Sequence, residues 1–434
     1  MQFNRQKRYL FTLAVFFCFF GCTNYTRETQ EIRANFQARD FSSALAKFEE
    51  SNIKPEGKDR LLYFLEKAMI LDRLDKLKES RSLLLKADAT ADELYTESIS
   101  NKALSMVYND TAQDYPGEDY EKVAIHAILA LSFIEEGQLE SAAVQARKIN
   151  NKLHELNQAY DEGKNKYSKD AFALYLSGLI YDVQSNFDSA IIDYRKALDA
   201  FEEGYEGFNI GGVPDQLVIR LAELYRKRSR NSQLTLLQKS YEKLLNKNSD
   251  LWEKDNDSGE IVVIHEVGNI STKVPEDFIF PLGGELIRLS FPKIQPNRHT
   301  SSGKSGIQLV EDKKFKSAEN FQDLNRVAYQ TLEDRRGRLI LKQAARLILK
   351  SQMRQEAKKQ GGPLADLAMQ AYNVATEVAD TRSWTLLPSA FYVSRLKVKP
   401  GSHKIKITTN GRLAEITEIS VKPQQIVILR NKAG

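Results

Sequence analysis

Between residues 28 and 246 apolar side chains return every three or four positions, interrupted by the prolines Pro55, Pro116 and Pro214, and this period predicts helices throughout. After a polar stretch at 247–259 the period drops to two. Residues 261–265 read as a strand, and 285–291 alternate Leu286, Arg288 and Ser290 against Ile287, Leu289 and Phe291, a strand with one wet face. Four more strands are expected at 391–398, 403–408, 413–421 and 425–429, with Pro400-Gly401 and Asn410-Gly411 as tight turns between them. A helical excursion at 323–359 and 364–378 separates the two groups of strands.

The helical pattern repeats. Leu174, Gly178, Tyr181, Ala190, Tyr194 and Ala197 stand at the packing positions of a tetratricopeptide repeat, where small side chains let helix A approach helix B. The same frame fits His126, Leu129, Ala130, Phe133, Ala142, Ala146 and Ile149, more loosely Phe64, Ala68, Leu71, Leu84 and Ala87, and by half Ala44 with Phe48. The two best copies lie 48 residues apart, so an insertion around 151–169 is expected and the solenoid is irregular. Each pair needs its neighbours to bury its apolar face, and stacking them leaves a concave groove. A pair of strands such as 261–265 and 285–291 is too small to be stable alone, so both strand groups are expected to meet in one sandwich. The fold class is therefore α+β and multidomain: a tetratricopeptide-like helical domain over 22–246, a linker over 247–259, and a β-sandwich-like domain over 260–434 with a helical insertion at about 320–380.

The first 21 residues read as an export signal. Arg5, Lys7 and Arg8 precede an apolar run at 10–20, too short to span a bilayer, and no acidic residue occurs before Glu28. Gly21-Cys22 at its end resembles the bacterial lipoprotein signal, which implies cleavage before Cys22 and acylation of its thiol, palmitate included. Thr23 is not the aspartate that retains such proteins at the inner membrane, so an outer-membrane, periplasm-facing location is expected. Composition adds little chemistry. Of 434 residues 42% are hydrophobic and 28% charged, an ordinary globular balance. The formal net charge of +5 falls to +2 without the signal, which gives no general attraction to nucleic acid. Cys18 leaves with the signal, so neither a disulfide framework nor a thiolate metal site is expected.

Several segments resemble an uncharacterised family of bacterial lipoproteins with tetratricopeptide-like repeats. They are Tyr115-Pro116-Gly117-Glu118-Asp119-Tyr120-Glu121-Lys122-Val123, the run from Asp170 to Tyr181, Val262-Val263-Ile264-His265-Glu266-Val267-Gly268, Gly361-Gly362-Pro363-Leu364, and Asp380-Thr381-Arg382-Ser383-Trp384 with Leu387-Pro388. The resemblance implies an exported, lipid-anchored protein without an assigned activity. Relatives of that family stand beside small lipoproteins that activate penicillin-binding proteins, which implies regulation of cell-wall synthesis as an alternative.

Candidate chemistry is sparse. Five histidines form no HExxH, there is no GxSxG turn, and Gly303-Lys304-Ser305 has Arg298 where a phosphate-binding loop needs its first glycine. No cofactor, no metal and no enzymatic activity are expected, with an unrecognised hydrolase as the remote alternative. Glu118, Asp119, Tyr120 and His126 form the best polar cluster: either a helix N-terminus complementing its dipole or contacts to a partner in the groove. Asp380, Arg382 and Trp384 read as a helix-to-strand junction with an ion pair and a core indole. Residues 288–359 hold 17 Lys and Arg against 7 Asp and Glu, and Arg338, Lys342, Arg346, Lys350, Arg354 and Lys358 recur every four residues. They form either a solvated basic ridge or a contact for anionic envelope lipid or glycan. The expected function is an envelope scaffold that binds a partner protein in its groove.

Overall fold

The computed structural model describes residues 25–100, 110–158, 169–204, 212–253, 257–282, 285–295, 304–312 and 315–432. The expected signal with Cys22 and residues 159–168 of the expected insertion lie outside them.

The chain begins with helices α1 (Tyr25–Glu28), α2 (Gln30–Gln37), α3 (Phe41–Glu50), α4 (Arg60–Arg73) and α5 (Leu77–Ser100). Next come α6 (Asp119–Glu135), α7 (Leu139–Gln158), α8 (Ala171–Val183), α9 (Phe187–Asp199), α10 (Asp215–Lys227) and α11 (Asn231–Ser240). Among the described residues, five helix pairs share one turn. In α2/α3, α4/α5, α6/α7, α8/α9 and α10/α11, three residues separate the helices, and the middle one is left-handed: Arg39, Asp75, Gly137, Ser185 and Ser229, with φ of 64°, 58°, 71°, 58° and 53°. The next N–H then reaches back five residues, as from Asn186 to the Tyr181 carbonyl (2.9 Å) and from Arg230 to the Tyr225 carbonyl (2.8 Å). This closes the helix end and satisfies its last carbonyls. Side-chain caps start the partner helices, Asp40 accepting from the Ser43 N–H at 3.0 Å and Asn186 from the Ser189 N–H at 3.4 Å. The helical half is thus built of tetratricopeptide-like hairpins.

Inside the α8/α9 hairpin, Gly178 faces the buried ring of Tyr194, and a Cβ placed on it would stand 2.6 Å from that ring. Replacing Gly178 by Ala is expected to cost about 1–3 kcal/mol through overpacking, seen as a lower Tm. An open helical glycine would gain stability from the same change.

The stretch read as a linker contains helix α12 (Glu242–Lys247) at its edge and α13 (Ser249–Trp252). Trp252 is buried there; its indole N–H donates to the Leu245 carbonyl, and Arg226 on α10 donates to the Trp252 carbonyl at 2.8 Å. Strand β1 (Gly259–Val267) follows, then β2 (Thr272–Leu282), β3 (Glu285–Gln295), β4 (Gly306–Leu309), β5 (Phe315–Ser317) and β6 (Glu319–Asp323). Helix α14 (Leu324–Thr376) leads to β7 (Ala390–Val398), β8 (Gly401–Thr409), β9 (Arg412–Val421) and β10 (Ile426–Asn431).

One sheet has the order β10-β1-β7-β6, with β1 antiparallel to β7 (Ile264 opposite Val393) and parallel to β10 (Val262 opposite Ile428). A second has the order β5-β4-β8-β9. Strand β1 is buried on both faces. Val262 and Ile264 join Phe321, Phe391 and Val393 in a core continuous with the helical half, while Ile261 and Val263 meet Ile307, Ile405, Ile407 and Val421 between the two sheets. The expectation that residues 285–291 join these sheets is corrected: β3 pairs only with β2, Phe278 opposite Leu289, and this ribbon lies along α14. A long ribbon with an apolar face finds its cover on a helix as readily as in a sheet.

Candidate functional site

Helix α14 is a hairpin in itself. Gly362, at φ 67° and ψ −159°, breaks it ahead of Pro363, and the second arm folds back so that Arg354 meets Asp366 at 2.7 Å and Lys350 meets Glu377 at 2.6 Å. The basic ridge expected on the first arm therefore points inward. Lys342 pairs with Asp110 (2.5 Å), and buried Arg346 lies 3.5 Å from Asp110 and 3.6 Å from Glu377. Of Arg338, Lys342, Arg346, Lys350 and Arg354, only Arg338 is exposed. This corrects the reading of a free anionic-surface contact, because acids brought from three other places in the chain neutralise the stripe. What faces outward is apolar. Ile340, Leu341, Ile348 and Met353 on the first arm, with Leu364, Leu367 and Tyr372 on the second, are all exposed, Leu341 at 72% and Leu364 at 74%. Phe278, Ile279 and Phe280 on the adjoining ribbon are exposed as well.

The concave side of the helical half is occupied by the chain itself. Helices α4, α6, α8 and α10 line it, and each meets the first sheet or the segment before β7. Glu66 on α4 accepts from the Thr385 N–H (2.6 Å), the Leu386 N–H (3.0 Å) and the Tyr25 hydroxyl (2.8 Å). Glu121 on α6 accepts from the Trp384 N–H (2.7 Å) and the Tyr115 hydroxyl (2.8 Å). Arg382 reaches Asp59, Asp380 and the carbonyls of Asp110 and Gln113, while the Trp384 indole is fully buried. Phe172 on α8 stacks on Phe391 with centroids 4.4 Å apart, and Gln216 on α10 donates to the Val393 carbonyl at 2.8 Å.

Two buried ion networks seal the same face. Arg430 on β10 binds Asp72 of α4 at 2.7 Å and Glu266 of β1 at 2.5 Å, and Arg73 binds Glu266 from the other side at 2.5 Å. Arg220 on α10 holds Asp182 of α8 at 2.6 Å, and Arg395 pairs with Glu260. Burial would push the carboxyls of Asp72 and Asp182 up, but the facing guanidiniums hold both below the usual carboxylate range.

The polar cluster expected to meet a partner is thereby corrected. Glu118 caps α6 and is bound by Lys273 and Arg335, each at 2.5 Å. Its burial is outweighed by those two cations, which draw its pKa down to about 2. Asp119 and Tyr120 are buried beside it, and His126 lies inside the α6/α7 hairpin, 3.2 Å from Asp88 and 3.1 Å from Gln145. Glu118 and Asp119 thus join the halves of the protein, while Tyr120 and His126 are buried in its interior.

Among the described residues one histidine bonds to a serine hydroxyl. His265 Nε2 lies 2.8 Å from Ser394 Oγ, and its Nδ1 lies 2.8 Å from Thr409 Oγ1. Both His265 and Ser394 are fully buried, and burial lowers the imidazole to about 4, so the pair is a strand-to-strand link that substrate does not reach. Among the described residues no cluster of His, Cys, Asp and Glu could hold a metal ion, and no helix is long and apolar enough to cross a membrane.

No family model matches the chain, and no curated protein matches it. Among solved structures, apo RapI aligns at 15% identity and a TM-score of 0.37 over 52% of this chain and 55% of its own. BtubC from P. vanneervenii aligns at 14% identity and a TM-score of 0.34, over 51% of this chain and 80% of that one. A kinesin light chain of Podosopora anserina with TPR-like repeats aligns at 13% identity and a TM-score of 0.32, over 51% and 95%. Such likenesses carry nothing about function to this chain.

Proposed function

We propose that the protein is a lipid-anchored envelope scaffold that binds a partner protein on the outer face of the α14 hairpin, its own concave face being used to hold the molecule together. The acyl chains sit on Cys22, and the protein faces the periplasm from the outer membrane. One observation carries the reading. The α14 hairpin turns Lys342, Arg346, Lys350 and Arg354 inward and Ile340, Leu341, Ile348, Met353, Leu364 and Leu367 outward, an arrangement that costs stability unless something covers it. Among the described residues the exposed charges around this face are Arg336, Arg338, Lys358 and Lys359 against Glu356 and Asp277, an excess of cations, so its counterpart is an apolar protein surface flanked by acidic groups. A second copy of this chain would set cation against cation.

A photoreactive residue placed at Ile348 in cells is expected to give one discrete protein adduct that disappears with Leu341→Glu. The same residue at Leu236, 63% exposed on α11, is expected to give none. Equal adducts at both positions, or adducts to lipid alone at Ile348, would overturn the reading.

A further inference from the structure

A groove of about 480 Å³ opens where α1 and α2 meet the base of the β2–β3 ribbon. Arg27, Gln30, Arg33 and Gln37 line one side, Thr272 and Gln295 the other, and among the described residues no carboxylate lines it. Arg33 donates through Nη2 to the Thr26 carbonyl at 2.8 Å, but its Nε is buried without a hydrogen-bond partner. Arg27 is exposed and carries no ion pair among the described residues. Two guanidiniums, one of them with a spare buried donor, and neutral amides form a receptacle for a phosphate-type anion, which guanidinium forks bind through paired charge-assisted hydrogen bonds.

Position narrows the source. Tyr25 is fixed in the core through Glu66, and Thr26 on the rim is only four residues past Cys22, a reach of at most about 14 Å. Resting on the lipid anchor proposed above, this reach keeps the groove within about 14 Å of the acylated residue, beside the membrane surface. We infer that the groove binds the phosphate of an anionic phospholipid headgroup in the membrane to which the protein is anchored.

The test uses the chain from residue 22 carrying Cys22→Ser, which takes no acyl group, against phosphatidylglycerol vesicles, phosphatidylcholine vesicles and glycerol phosphate. Binding to phosphatidylglycerol is expected, weakening with salt, and Arg27→Gln with Arg33→Gln should weaken it about fivefold per charge removed. Arg27→Gln alone, at an exposed and unpaired position, keeps the test open if the double variant does not fold. Lys358→Gln with Lys359→Gln, equally exposed on α14, should change nothing. Equal losses from both pairs, or no loss from the arginines, would overturn the site. Arginine-dependent binding of glycerol phosphate with indifference to vesicles would overturn the membrane as its source. Palmitate labelling of the parent decides the anchor separately.

Discussion

Arg430→Met is expected to unfold the protein under conditions in which the parent is folded, through a loss of about 3–5 kcal/mol. The Arg430 side chain is entirely buried, and it alone touches both Asp72, also fully buried, and Glu266 from the β10 side. Removing it leaves two carboxylates sharing Arg73, with no water to replace the lost hydrogen bonds. Lys432 sits at the rim of the same network, bonded to Asp75, whose side chain is 81% exposed, so Asp75→Ala should cost well under 1 kcal/mol. Tm and urea midpoints of the two variants check the contrast. A stable Arg430→Met protein would show that the network contributes little.

The second large effect depends on pH. Burial pushes the Glu121 carboxyl up, and the neighbouring charge of Glu118 adds to it, bringing it to about 7. In the unfolded chain the group titrates near 4.5. Between these values the folded protein holds a proton that the unfolded chain has released, so stability falls as pH rises through the window. The contribution is complete below about 4.5 and gone above about 7, a span of about 3 kcal/mol. Glu118, drawn down to about 2, titrates well below this window. Glu121→Gln should therefore flatten the decline in Tm between pH 5 and pH 8 relative to the parent. Parallel declines would mean that Glu121 stays ionised in the folded protein.

The helical half was legible because a 3.6-residue period survives whatever lies beside it. Gly178 and Tyr194 meet as their spacing implies, since that contact is made within one hairpin. The closed groove was not read, although a signal for it was present. Helices α6 and α8 are apolar on nearly every side, and a helix apolar all round is covered on both faces, whereas a solenoid with an open groove keeps one face wet. Acids set singly in those runs, Glu121 and Asp182, mark where the cover is fastened. The ridge on α14 misled for a different reason. A local charge balance counts only nearby residues, while Asp110, Asp366 and Glu377 neutralise the stripe from elsewhere in the fold. Periodicity also identifies an apolar stripe such as Leu341 and Ile348 without saying which way it points.

The place of β10 in the sheet also sets an order of events. It is the last of the described strands in chain order, yet it lies beside β1 and carries Arg430 to a carboxylate 358 residues earlier in the chain. Contacts so distant in sequence close late and slowly. During synthesis the five hairpins can form as they emerge, but their inner face, with its apolar runs and isolated acids, stays wet until residues 384–393 arrive and stays unsealed until residue 430 does. The molecule therefore cannot mature one half at a time. Its dangerous interval is the passage of the second half of the chain, when a preformed apolar trough is open to any passing strand, and a helper that occupies that trough would spare the protein its own aggregation.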